Sequence, residues 1–311
     1  MSDLCRLTEE VIDSVYAGRN RTKPSNDSSF LQMAVVVILD ISWQPDWNFK
    51  INVGAFRRVL MNLFGNALKY TDAGFVKVAV TLDHQRSPHE GKSPPTLCLT
   101  VTDSGKGISR EFLRDHLYTA FKQEDALSVG TGLGLSIVRR VLRDIDGNVD
   151  IESELGSGTK ASVSIPLKSG KRHSSDSQSS DIVSEVREKL KGRQACIVNE
   201  GFDVYPSVSD TATGTLSLEA EGLMFLKSSL TSVLTDWLNV EVSLTSQLSL
   251  DSGNVILTMA SHDIADKIRS LDANITASGH NRIVIVLCAA AYRGVDFTAD
   301  KGTRVLYLRL P

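Results

Sequence analysis

The chain has 311 residues, 41% of them hydrophobic and 23% charged, with a formal net charge of -3. That length and composition suit about two ordinary globular domains, and the mild negative charge argues against a nucleic-acid partner held by counterion release. The longest apolar run, residues 283–292, falls short of a membrane span, so no membrane insertion is expected. MSDLCRLTEE at the N-terminus lacks a basic, apolar leader, and the four cysteines (Cys5, Cys98, Cys196, Cys288) form no CxxC pair. Both features point to a reduced, cytoplasmic protein without cysteine-bound metal.

Residues 4–16 place Leu4, Leu7, Val11 and Val15 on one side of a short helix, which Ala17-Gly18 should stop with a left-handed cap. Residues 21–29, polar and carrying Pro24, read as loop, and 33–41 (MAVVVILDI) as a buried strand. A short strand over 46–52 leads to FRRVLMNLFGNALKY, residues 56–70. At helical spacing Phe56, Leu60, Leu63, Phe64 and Ala67 form a stripe for a core, while Arg58, Asn62, Asn66 and Lys69 share another face. Carboxamides a turn apart, followed by an ammonium, suit a hydrated cation and phosphate oxygens. A plain solvated face would show the same pattern.

Thr71-Asp72-Ala73-Gly74 turns the chain into a strand at 75–82, a polar loop covers 84–95, and 96–102 (TLCLTVT) is the next strand. It runs into Asp103-Ser104-Gly105-Lys106-Gly107-Ile108. An acid at a strand end with spaced glycines holds one carboxylate at a cleft edge, although a turn or calcium loop shares the spacing. Residues 112–130, short on regular pattern and carrying Phe121, Gln123 and Glu124, read as a lid. Gly130-Thr131-Gly132-Leu133-Gly134-Leu135-Ser136-Ile137-Val138 opens a helix to about Asp144, its glycines leaving backbone N–H groups open to phosphate. A hairpin, 148–154 and 159–167 around Gly156-Ser157-Gly158, closes the region.

In that order NLFGNALKYT, DSGKGI, the phenylalanine-bearing lid and GTGLGLSIV, closed by GSGTKASVSIPL, resemble the nucleotide-binding domain of sensor histidine kinases. The resemblance covers residues 1–168, and the wording is most similar to hybrid histidine kinases of fungi. It implies a Bergerat-type two-layer α/β sandwich, a mixed sheet with helices on one face, that binds ATP and Mg2+. It assigns Asp103 to the adenine amino group, with Thr159 steadying it through water, and lets Gly105 and Gly107 bring backbone close to the base. Asn62 would hold magnesium through its amide oxygen, Asn66 and Lys69 would meet phosphates, and Tyr70 would border the site. Gly130, Thr131, Gly132, Leu133 and Gly134 would form the lid hinge and the phosphate-facing helix start. Asn62 and Lys69 would carry the catalysis, which in phosphoryl transfer is mainly positioning and charge neutralisation.

ATP-hydrolysing relatives place a water-activating glutamate one turn before the magnesium asparagine. Here Arg58 stands there, and it cannot act as a base at neutral pH. Neutral imidazole needs no such base, so transfer to histidine is expected over the alternatives, a nucleotide-binding pseudokinase or a clamp-like ATPase. The family's acceptor lies on a helix hairpin ahead of this domain, with an acid, an apolar residue, arginine and proline after the histidine. The chain starts too late for that hairpin, and among its six histidines His262-Asp263-Ile264 is a partial match without the proline. Expected partners are therefore ATP and the acceptor-histidine hairpin and receiver domain of a histidine kinase or phosphorelay protein.

The expected domains are a connector helix (1–22), the ATP-binding domain (23–168), a serine-rich linker (169–181) and a degenerate receiver-like, three-layer α/β domain (182–311). Within the last, helices are expected at 182–191, 221–239 and 264–271, and strands at 194–198, 240–244, 255–260, 283–287 and 304–310. A working receiver needs an acidic pair after its first strand, an aspartate after its third and a lysine after its fifth. The sequence offers Asn199-Glu200, then Ala260-Ser261 with Asp263 further on, and Cys288-Ala289-Ala290 after Leu287, with Lys301 a substitute under a different strand count. An unrelated small α/β domain is the alternative.

Overall fold

Alternation of apolar and polar residues decides the first sheet. In β5 (Thr96–Asp103) Leu97, Leu99, Val101 and Asp103 are buried while their neighbours are half-exposed, and β7 (Gly158–Pro166) buries Ala161, Val163 and Ile165 in the same way. One face therefore packs on helices and the other meets solvent. The computed structural model describes residues 2–22, 35–84, 95–124, 130–167, 178–199, 218–248, 254–259, 263–273, 282–288 and 303–309. They form two compact units, one ending with Leu167 and the other beginning at Gln178.

In the first unit β2 (Val35–Ile41), β4 (Gly74–Asp83), β5, β7 and β6 (Asn148–Glu154) form a five-stranded sheet in the order β2-β4-β5-β7-β6. Only the β2–β4 pair is parallel, so the sheet is mixed. Helix α2 (Val53–Tyr70) packs on β4 and β5, and α4 (Gly134–Arg143) on β6 and on α2. Helix α2 begins ahead of the expected Phe56 because the Asn52 side chain caps it, accepting the Ala55 N–H at 3.0 Å. Phe56, Val59, Leu60 and Phe64 are fully buried beneath it.

Helix α1 (Leu4–Thr22) docks on α2 through buried Leu4, Leu7, Val11 and Ile12. A short antiparallel ribbon, β1 (Ser2–Asp3) with β3 (Asn48–Phe49), fixes its start, and Asp3 Oδ1 accepts the Cys5 N–H at 3.0 Å. The helix does not stop at Gly18 as expected. It continues a turn further, where Arg19 Nη2 donates to Thr71 O at 3.0 Å, so a tertiary contact overrides the glycine. The Arg57–Glu10 ion pair at 2.7 Å links α2 to α1 but is solvent-exposed, so it adds little to stability.

The second unit contains α5 (Gln178–Leu190), β8 (Gln194–Val198), α6 (Leu218–Ser232), β9 (Glu241–Thr245), β10 (Val255–Met259), α7 (Ile264–Ala273), β11 (Arg282–Cys288) and β12 (Thr303–Arg309). All strand pairs are parallel, in the order β12-β11-β10-β8-β9. That is the flavodoxin-like doubly wound order. Its core joins Cys196, Val198, Ile256, Val284 and Val286 of the sheet to Ile264 and Ile268 of α7.

Three sequence expectations change here. Helix α5 starts at Gln178, inside the expected linker, because polar residues suit a first helical turn that apolar periodicity cannot see. The expected helix over 221–239 ends as α-helix at Ser232 and passes into a π-helical turn, Val233–Trp237. There Thr231 and Thr235 hydroxyls donate back to the carbonyls of Lys227 and Thr231 at 2.9 and 3.0 Å, which disturbs the ladder. The strand ending near Leu287 is the fourth of its sheet, so the lysine position belongs after β12, where the sequence has Leu310. Glu200, His262 and Lys301 lie outside the described residues. No described helix is long and apolar enough to cross a membrane.

Truncating Phe64, fully buried in α2, should cost the first unit about 3–5 kcal/mol. Urea unfolding of Phe64→Ala should show a lowered midpoint for that unit with an unchanged slope for the other. An unshifted midpoint would mean that α2 is not its core.

Candidate functional site

Helix α2 turns its second face toward a cleft of about 310 Å³, lined among others by Asn62, Asn66, Lys69, Tyr70, Asp103, Gly107, Gly130, Thr131, Gly132, Gly134 and Thr159. Four motifs far apart in sequence thus meet in one concavity. From Asn62 to Tyr70 is about 12 Å of helix axis.

The deep end is built on Asp103, 7% exposed at the close of β5. Burial pushes its carboxyl up to about 6, against the opposing pull of the Gly105 and Thr159 backbone N–H groups and the Thr71 hydroxyl. Gly105 N–H donates to Asp103 Oδ1 at 2.9 Å, and the Thr71 hydroxyl also reaches Ala67 O at 2.7 Å. The surrounding backbone comes too near for side chains. Gly107 has φ 70° and a Cβ there would strike the Glu154 carbonyl; Gly158 has φ 98° and a Cβ would strike the Asp103 carbonyl. Lys106 N–H to Tyr70 O at 3.1 Å and Gly156 N–H to Lys106 O at 2.9 Å then stitch the loop to α2 and to the β6–β7 turn.

At the other end Asn62 donates through Nδ2 to Arg58 O at 2.6 Å. That bond commits the amide nitrogen to its own helix and presents the oxygen outward. Gly134 lies so close that a Cβ on it would sit 3.1 Å from Asn62 Oδ1 and 3.5 Å from Asn66 Nδ2. Helix α4 starts there, not at Gly130 as expected, with no side-chain cap on its first N–H groups. Its positive end therefore faces the two asparagines. Lys69 Nζ donates to the Tyr70 hydroxyl at 2.6 Å, and Lys69 and Lys106 lie 4.3 and 4.8 Å from the Tyr70 ring centroid.

The stretch expected as an irregular lid contains α3 (Arg110–Asp115), capped by Ser109. Phe121 takes the left-handed region at φ 64° and is 75% exposed, its N–H donating to Gly132 O at 3.0 Å. Gln123 Nε2 donates to Gly130 O at 2.7 Å, and Glu124 accepts the Ser109 N–H at 2.9 Å. Residues 125–129 of this stretch lie outside the described residues.

Gly105 and Leu133 do not line the cleft. Gly105 sits behind the carboxylate, against Tyr70 O and Thr71, and Leu133 is the N-cap residue of α4. Conversely Lys106, Lys122, Phe112 and Ile151 line it without having been singled out for it. Ile151 could have been found from strand alternation, since it shares a face with Ser153 and Val149 on β6. Fitness for magnesium rests on the donor chemistry: one outward amide oxygen beside open phosphate-facing N–H groups suits an ion that keeps most of its other ligands as water and phosphate. Among the described residues no group of three or more His, Cys, Asp or Glu could hold a metal by itself.

Residues 52–169 match the model of the family described as histidine kinase-, DNA gyrase B-, and HSP90-like ATPase. Sensor protein EvgS of Escherichia coli (strain K12) is 36% identical over 121 residues, which are 38% of this chain and 10% of EvgS. Hybrid signal transduction histidine kinase A of Dictyostelium discoideum is 35% identical over 117 residues, 36% of this chain and 5% of that protein. The alignments thus span a tenth or less of these relatives. The crystal structure of full-length ShkA in complex with AMPPNP superposes with a TM-score of 0.54 over 92% of this chain and 48% of ShkA, and at 19% identity it speaks to the fold. Residues 52–169, with their sheet strands and their cleft, thus form a domain that matches the histidine kinase-, DNA gyrase B-, and HSP90-like ATPase family and is similar to a segment of sensor kinases.

Proposed function

We propose that the first unit binds Mg·ATP and donates the γ-phosphoryl group to a histidine on a separate helix hairpin, as the catalytic module of a sensor histidine kinase. What carries this reading is the cleft itself, which sets a buried carboxylate at one end and an asparagine–lysine face beside an uncapped helix start at the other. Asp103 accepts the adenine amino group, and Thr159 supports it. Asn66, Lys69 and the first N–H groups of α4 neutralise phosphate oxygens. Asn62 Oδ1 would hold magnesium, which when bound draws charge from the phosphates.

Arg58 favours transfer over hydrolysis. It is exposed one turn before Asn62, where it offers its carbonyl to the Asn62 amide and supplies no base. Glu124 does line the cleft, but it is bonded to the Ser109 N–H. A neutral imidazole attacks without a base, so these residues need only position and neutralise. ShkA, the structural neighbour, was solved with AMPPNP, a nucleotide analogue, in line with the same reading.

For the second unit we infer a receiver-like domain that takes no phosphoryl group. The strand order supports the topology. Where a receiver carries acids after its first strand, Asn199 accepts from the Lys227 ammonium at 3.2 Å. An ammonium in that place competes with a divalent cation.

Titration calorimetry tests the base site. Asp103→Asn should lose about 1.5–3 kcal/mol, roughly ten- to a hundred-fold in ATP affinity; equal affinities would remove the adenine assignment. Since the carboxyl of the nucleotide-free protein titrates near 6, its acceptor form is lost as pH falls through that value. Affinity should drop below pH 6 in the parent, and the Asp103→Asn variant should lack that component. The sign for stability is opposite: the raised value makes ionisation costly, so the unit loses stability as pH rises from the ordinary aspartate range toward 6.

With γ-labelled ATP, the chain by itself should stay unlabelled, and acid-labile, base-stable label should appear on an added acceptor hairpin. Steady hydrolysis abolished by Asn62→Ala, without transfer, would favour an ATPase. For the second unit, magnesium with beryllium fluoride should leave the amide resonances of Val198, Asn199 and Met259 unmoved. A saturable shift there would reveal a working receiver.

A further inference from the structure

We propose that Ser153 is a positioning residue that sets the direction of the Thr159 hydroxyl and so makes the base pocket select a purine bearing an amino group at position six. This rests on the reading of Asp103 as the adenine contact. Ser153 stands on β6 directly opposite Thr159 on β7, and Thr159 is in turn opposite Asp103 on β5. Three groups surround the Ser153 oxygen: Gly158 O at 2.7 Å, the Ile108 N–H at 2.9 Å and Thr159 Oγ1 at 2.9 Å.

A serine hydroxyl has one proton and two lone pairs. Its proton goes to the Gly158 carbonyl, which can only accept. The Ile108 N–H, which can only donate, takes one lone pair. The remaining lone pair meets Thr159, so in that contact Thr159 is the donor. Its single proton is then spent on Ser153, and toward the cleft it shows lone pairs alone. Asp103, which lines the cleft beside it, is likewise an acceptor whenever it is ionised. This end of the cleft therefore presents acceptors to a base. A water held between Asp103 and Thr159 would give both its protons to them and turn lone pairs inward, which transmits the same demand. A six-amino purine supplies the hydrogen; a six-oxo purine sets lone pairs against lone pairs in a buried site.

Competition binding of Mg·ATP against Mg·ITP, which carries an oxo group at position six, reads this directly. The parent should prefer ATP, Ser153→Ala should lower the ATP-to-ITP affinity ratio about tenfold, and Ser153→Thr, which keeps the hydroxyl, should restore it. Equal weakening of both nucleotides in Ser153→Ala would make the residue structural only and overturn the proposal. Were Ser153→Ala to fail a melting check, Thr159→Val and Thr159→Ser serve instead. The first should collapse the ratio and the second keep it, while an unchanged ratio in a folded Thr159→Val overturns the proposal. A parent that binds both nucleotides alike would instead remove the Asp103 assignment.

Discussion

A carboxylate taken out of water is the constraint on which the first unit turns. Asp103 ends a central strand with almost no exposure, and burial lifts its carboxyl to about 6 although the Gly105 and Thr159 N–H groups and the Thr71 hydroxyl pull it down. The cost of that burial explains the surroundings. Gly105, Gly107 and Gly158 let three stretches of backbone close over the strand end, and Ser153 ties the loop after Asp103 to the hairpin that backs it. A pocket wall closed by main chain in this way has little room to shift.

Helix α2 joins this pocket to the asparagine end of the cleft because its two faces answer to different solvents. Its apolar stripe is anchored in the core from Phe56 to Leu68, so the opposite face cannot rotate. The Asn62 amide, already bonded to the turn before it, has little freedom left. The start of α4 is held against that face by close approach at Gly134, and the lid stretch is pinned to the same place through Gly130 and Gly132. Phe121 keeps a left-handed backbone that is costly for a bulky residue, and it leaves its ring in solvent beside the cleft.

The second unit shows how a doubly wound sheet is held independently of the residues at its strand ends. Its inner strands β8 and β10 are buried on both faces along almost their whole length, a requirement independent of the residues at the strand ends. Those ends, where doubly wound sheets place their ligands, carry Asn199 and the Lys227 ammonium in contact.

What the sequence determined by itself was whatever depends on local period and on residue type. The apolar stripe of α2, the alternation of β5 and β7 and the order of the four motifs were legible, because a side chain's face follows from 3.6 or 2 residues per turn. Asp103 beside spaced glycines marked a carboxylate at a cleft edge as well. What only the tertiary structure decided were contacts between residues distant along the chain. Arg19 carries α1 past Gly18 by reaching Thr71, α4 begins at Gly134 because Asn62 and Asn66 lie beneath it, and Gly105 supports the carboxylate from behind without lining the cleft. Ser153 reads as an ordinary strand serine until the register sets it opposite Thr159 and under Ile108. The physical reason is common to all of these: a hydrogen bond or a close approach across the fold needs both partners placed within a few tenths of an ångström. Such distances are properties of packing, and no local pattern carries them.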